Sequence, residues 1–164
     1  MIEQISKTAP EINFNDKPMY NKDKIKTILP HREPFLFIDE IRDIRDDFII
    51  GVKFVKAEEY YFKGHFPGEP VMPGVLQLET MAQTGGVLIL NNVENPEEYL
   101  TFFLKIENAK FKRKVIPGDT IIFRLDLISP IRRGLVHMGG KGYVNGEMCI
   151  EADMLAQVVK DRGE

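Results

Sequence analysis

Few side chains in this sequence can do acid–base or nucleophilic chemistry near neutral pH. There are three histidines, His31, His65 and His137, and one cysteine, Cys149. None stands at metal-ligand spacing from another, so no zinc site is expected. The chain has no Gly-x-Ser-x-Gly elbow and no phosphate-cradling Gly-x-x-x-x-Gly-Lys. A lone cysteine forms no internal disulfide, which fits a reducing compartment or indifference to redox state. That leaves His65 and Glu79. His65 stands in residues 63–74, a segment with three prolines and three glycines. Proline restricts φ and glycine widens it, so this loop is expected to follow a defined, irregular path. Glu79 interrupts the apolar run 74–90. By itself a loop histidine is more often structural, and such a glutamate can serve a salt bridge. An apolar site, however, favours the protonated carboxyl and makes it a usable acid. Gln83 lies four residues on, on the same helical face, and can orient that carboxyl. Gly74 opens the helix, where free backbone N–H groups can stabilise a developing oxyanion. A base, a buried acid and an oxyanion donor suit removal of an α-proton with loss of a β-hydroxyl.

The rest of the chain must position these groups. Its 164 residues are 43% hydrophobic and 29% charged, the usage of one globular domain. A net charge of −3 argues against a nucleic-acid binder. Residues 1–21 read as a polar extension or loosely docked arm, and residues 22–164 as a single domain. No signal peptide is visible, and the run 74–90 is short and carries a carboxylate at its centre, so a cytoplasmic location is expected. Asn21 is expected to cap a short helix over 22–29, stopped by Pro30. The main helix, 75–91, is apolar on nearly all sides and should be buried. Gly85 and Gly86 each cost about 0.8–1 kcal/mol inside it, which predicts that another backbone passes close. Strands are expected over 48–55, 100–105, 110–115, 120–129, 135–144 and 148–159. Asn145-Gly146 marks a two-residue hairpin. The architecture is α+β, an antiparallel sheet wrapped on one long helix.

The motifs then suggest a family. Gly64-His65-Phe66-Pro67-Gly68-Glu69-Pro70-Val71-Met72-Pro73-Gly74-Val75-Leu76, followed by Leu78-Glu79-Thr80-Met81-Ala82-Gln83, resembles the signature of (3R)-hydroxyacyl-[acyl-carrier-protein] dehydratases of the FabZ type. Ile28-Leu29-Pro30-His31-Arg32-Glu33-Pro34-Phe35-Leu36-Phe37-Ile38-Asp39 looks like the family's second signature. Lys110-Phe111 with Val115-Ile116-Pro117-Gly118-Asp119 is similar to its third. The resemblance runs from about residue 24 to 158.

The resemblance implies the hot-dog fold, a curved antiparallel sheet around a central helix. It implies dehydration of a (3R)-3-hydroxyacyl thioester to the trans-2-enoyl thioester on acyl carrier protein, in type II fatty acid biosynthesis. No metal or organic cofactor is implied beyond the carrier's phosphopantetheine. His65 matches the catalytic histidine, Glu79 the catalytic carboxylate, and Gly74 the residue whose N–H binds the thioester oxygen. Phe66, Gln83 and Phe102 are implied to contact substrate, and Phe102 falls where some members carry a gating tyrosine. A sister group that also isomerises has aspartate at the Glu79 position, so dehydration alone is expected. In the family the His and Glu of one site come from different protomers, and dimers assemble as trimers of dimers. Lys110, Lys112, Arg113, Lys114, Arg132 and Arg133 are candidates for docking the acidic carrier, or else a solvated charged face. The competing readings are a hot-dog thioesterase and a non-catalytic acyl-binding domain.

Overall fold

The apolar alternation of the C-terminal half folds into antiparallel strands as expected. The computed structural model describes residues 8–160. Residues 1–7 of the expected extension and 161–164 of the expected domain lie outside the described residues. The strands are β1 (Glu40–Ile44), β2 (Phe48–Phe54), β3 (Tyr99–Phe111), β4 (Thr120–Leu127), β5 (Leu135–Val144) and β6 (Glu147–Lys160). They form one sheet in the order β1-β2-β4-β5-β6-β3, with every neighbouring pair antiparallel. The helices are α1 (Lys22–Lys26) and α2 (Gly74–Leu90). Helix α2 packs on β2, β4, β5 and β6, so the sheet wraps the helix as expected of an α+β hot-dog fold.

Local chemistry explains the element ends. Asn21 caps α1, its Oδ1 accepting the Lys24 N–H at 2.9 Å. The helix is shorter than expected, because at Thr27 and Ile28 the N–H groups already bond to carbonyls three residues back. The β5–β6 hairpin turns at Asn145 and Gly146, with φ of 50° and 77°, a pair that matches strand twist.

Two expectations are corrected. Segments 100–105 and 110–115 are not separate strands. β3 runs unbroken to Phe111, and Asn108, at φ 52°, sits in a bulge where the β3–β6 register slips between Glu107 and Lys110. The Asn108-Ala109 signal therefore bends a strand without ending it. Nor does another backbone approach Gly85 and Gly86. A Cβ at Gly85 would meet Met138 Sδ at 2.7 Å and Leu125 Cδ2 at 3.1 Å, and one at Gly86 would meet Leu29 Cδ2 at 3.1 Å. The glycines make room for side chains of the sheet and of the segment after α1.

The two sheet edges differ. Along β1 the described part of the extension is fastened: Tyr20 exchanges backbone hydrogen bonds with Ile41 at 3.1 and 3.0 Å, and Arg42 donates to the Asp16 carbonyl at 2.9 Å. The described part of the arm is thus docked on β1. The β3 edge is bare among the described residues, and Phe102 is 53% and Leu104 57% exposed. A long apolar edge of this kind is a template for pairing with another chain.

Candidate active site

The loop carrying His65 follows a 3-10 turn, Tyr60–Lys63. The His65 N–H donates to the Tyr61 carbonyl at 3.0 Å, and the Val71 N–H donates to the His65 carbonyl at 2.9 Å. The ring Nδ1 lies 2.7 Å from the Val71 carbonyl oxygen. A carbonyl only accepts, so Nδ1 carries the proton, and in the neutral imidazole Nε2 presents its lone pair. Phe66 is half exposed and stacks on the imidazole at 4.1 Å between ring centroids.

His65 and Gly74 share a cleft of about 570 Å³, lined also by Gln77, Phe111 and Lys112. Gly74 is the first residue of α2, after Pro73, and its N–H has no partner among the described residues. A Cβ at position 74 would come within 2.7 Å of the Phe111 ring. The missing side chain therefore lets the ring pack there and leaves the helix terminus open. An N–H at the start of a 17-residue helix suits an oxygen that gains negative charge.

Glu79 faces a second, mainly apolar cavity of about 220 Å³, lined also by Gln83, Phe102, Met138 and Met154. Gln83 is 1% exposed and not a rim residue. Its Oε1 accepts the Phe37 N–H at 2.8 Å, and its Nε2 donates to the Phe35 carbonyl at 2.8 Å and to Glu79 Oε1 at 3.0 Å. It therefore pairs like a strand with the Phe35–Phe37 backbone while orienting the carboxyl, as the i, i+4 spacing predicts. The spacing did not show the backbone pairing.

His31 was given no role by sequence reasoning. Its Nε2 lies 3.4 Å from Glu79 Oε1, and it lines the same cavity. The signal was its place right after Leu29-Pro30, at the end of the α1 segment. Gln77, which lines the same cleft as His65, is 3% exposed with a buried Oε1 that has no partner among the described residues, and was likewise missed.

Within one chain His65 and Glu79 do not share a cavity. His65 and Gly74 line one cavity and Glu79, Gln83 and Phe102 the other. Lys112, Arg113 and Lys114 rim the His65 cleft, whereas Arg132 and Arg133 line neither cavity. Lys110 and Lys112 lie 3.7 and 3.4 Å from Glu151, Arg113 pairs with Glu147 at 3.1 Å, and Lys114 with Glu69 at 3.2 Å. Among the described residues no group of three or more His, Cys, Asp or Glu side chains is arranged to hold a metal ion, and no helix is long and apolar enough to cross a membrane.

An antiparallel sheet wrapped on one long helix is an arrangement that known proteins share. Residues 29–153 match the family described as FabA-like domain. The chain belongs to that family. It is 49% identical over 161 residues to a bifunctional enzyme LpxC/FabZ of Porphyromonas gingivalis, covering 98% of this chain and 35% of that protein. It is 41% identical over 135 residues to the 3-hydroxyacyl-[acyl-carrier-protein] dehydratase FabZ of Solibacter usitatus, covering 82% and 83%. The chain thus spans about a third of the length of its bifunctional relatives. Its fold superposes with TM-score 0.69 on a chain of the dehydratase heterocomplex ApeI:P from Xenorhabdus doucetiae, at 14% identity, covering 81% and 89%. At that identity the likeness speaks for the hot-dog fold alone.

Proposed function

We propose that the chain dehydrates a (3R)-3-hydroxyacyl thioester, carried on acyl carrier protein, to the trans-2-enoyl thioester. The observation that carries this reading is His65: Nδ1 is held by Val71, and among the described residues neither Nε2 nor the Gly74 N–H in the same cleft has a partner. The thioester oxygen accepts from the Gly74 N–H, which stabilises the charge that develops as the α C–H bond breaks. His65 Nε2 takes the α-proton. The electron pair forms the C=C bond, the C–O bond at the β-carbon breaks, and the Glu79 carboxyl protonates the departing hydroxyl to water. Gln83 holds Oε1 of that carboxyl by an N–H at 3.0 Å. The reaction as drawn calls on no metal or organic cofactor besides the carrier's phosphopantetheine. Phe66, stacked on the His65 ring, and Phe102, lining the Glu79 cavity, are the acyl contacts of this reading.

One site needs both cavities, so a second copy completes it. The β3 edge, apolar and bare among the described residues, supports pairing of two chains there, with His65 of one protomer serving Glu79 of its partner. A trimer of such dimers, docking of the carrier on Lys112, Arg113 and Lys114, and a cytoplasmic location extend the same reading. The relatives named dehydratase support the chemistry. The test is an assay with a 3-hydroxyacyl carrier protein that follows both the enoyl absorbance and free thiol. Enoyl without thiol is expected. Thiol release would assign a thioesterase, and neither product a binding domain.

A further inference from the structure

A buried charged cluster outside both cavities joins β2 to the turn before His65. Lys53, on β2, is 3% exposed. Its ammonium bonds to Glu59 Oε1 and lies 3.8 Å from Asp39 Oδ2. The other Glu59 oxygen accepts from the Tyr61 hydroxyl at 2.7 Å and the Lys56 N–H at 3.1 Å. Asp39 Oδ2 accepts the Phe54 N–H at 2.7 Å, and Oδ1 accepts from Lys22 Nζ at 3.1 Å. Two cations thus balance two carboxylates, and each carboxylate oxygen has a donor.

The cluster leads to His65 without a break. The Glu59 carbonyl accepts the Phe62 N–H at 3.1 Å, and the Tyr61 carbonyl accepts the His65 N–H at 3.0 Å. Burial, reinforced by the hydrogen bond to Glu59, pushes the Tyr61 hydroxyl above the usual phenol range, so it stays a donor. The Tyr61 ring meets Phe37 edge-on at 6.3 Å, on the segment that Gln83 grips.

A buried ion pair adds little stability over an apolar pair of similar shape, because desolvation offsets the attraction. What it does supply is a fixed geometry, and here the geometry fixed is that of the turn. We propose that the Asp39–Lys53–Glu59 cluster is a positioning device for His65, holding the Tyr60–Lys63 turn so that the imidazole meets its target. Lys53 and Glu59 are positioning residues; neither lines the cleft. The proposal rests on the reading of His65 as the reacting base.

Lys53→Met alone leaves two buried carboxylates short of a cation and risks unfolding. The test therefore uses the double variant Lys53→Met/Glu59→Gln, which removes one charge of each sign and keeps an acceptor for Tyr61 and Lys56. Amide hydrogen exchange is read residue by residue, beside kcat and KM for a 3-hydroxyacyl carrier protein. The expected result is exchange about 10- to 100-fold faster at Phe62 and His65, with α2 and β5 amides within about 2-fold. In the same variant kcat falls about 10-fold or more and KM changes by less than about 3-fold, as for a misplaced catalytic group. Unchanged exchange at His65, or full kcat, overturns the proposal. So does equal acceleration throughout α2 and β5, or a double variant that does not fold, since either makes the cluster a general stabiliser. If the wild-type chain yields no enoyl product, the functional reading fails, and the exchange pattern alone still decides the positioning role.

Discussion

At the scale of single residues, the chemistry divides between groups that are free and groups that are held. His65 is held at Nδ1, and its Nε2 has no partner among the described residues. His65→Ala is expected to lower kcat by roughly 10²–10⁴-fold in a folded protein, read by enoyl formation. Near-normal turnover would remove it from the mechanism. Glu79→Gln keeps the shape and an acceptor for Gln83 but has no acidic proton to give, so a similar loss is expected with an unchanged Tm. Cys149 is the opposite case, fully buried, with its thiol pushed up to about 11 chiefly by desolvation. At pH 8 roughly one thiol in a thousand would be ionised, so native protein should resist iodoacetamide and react only once unfolded. An unfolded thiol ionises near ~8.5, while the folded state keeps the proton to higher pH. This contribution to stability is therefore complete below that value and is lost as pH rises toward 11. Denaturant titrations should show wild type losing stability relative to Cys149→Ala over that window; a constant difference would contradict the burial argument.

At the scale of elements, α2 is buried yet carries polar side chains, several of them satisfied by hydrogen bonds. Thr80 and Thr84 donate to carbonyls one turn back, at 2.7 and 2.9 Å. Gln83 serves the Phe35–Phe37 segment and Glu79 at once. Gln83→Leu leaves a buried N–H and a C=O unpaired, at about 1–3 kcal/mol each. The expected outcome is a clear drop in the denaturation midpoint together with a fall in kcat, since Glu79 also loses its orienting donor. A variant as stable as wild type would show that the Phe35–Phe37 segment does not depend on the helix.

At the scale of the whole molecule, His65 and Glu79 line separate cavities of one chain, and the β3 edge is bare among the described residues. Mixing inactive His65→Ala and Glu79→Ala subunits tests whether they complete each other. Random exchange makes about half the dimers mixed, each with one intact site of two, so about a quarter of wild-type activity should return. Native mass spectrometry must show the mixed dimer. No regained activity with mixing confirmed would mean that one chain supplies both groups.

The sequence by itself determined the antiparallel sheet, the buried helix, the Asn21 cap and the Asn145-Gly146 hairpin. Each rests on contacts between near neighbours or on a simple period. It also singled out His65, Gly74, Glu79 and Gln83, because an irregular Gly/Pro loop and a carboxylate in an apolar run are local anomalies. Only the tertiary structure decided what depends on distant segments meeting. Asn108 became a bulge because β6 continues alongside it. Gly85 was needed for Met138, more than fifty residues away along the chain. His31 reached Glu79, and Lys53 met Asp39 and Glu59, through approaches that no spacing encodes. The separation of His65 from Glu79 into two cavities is of the same kind, since it depends on how the sheet wraps the helix.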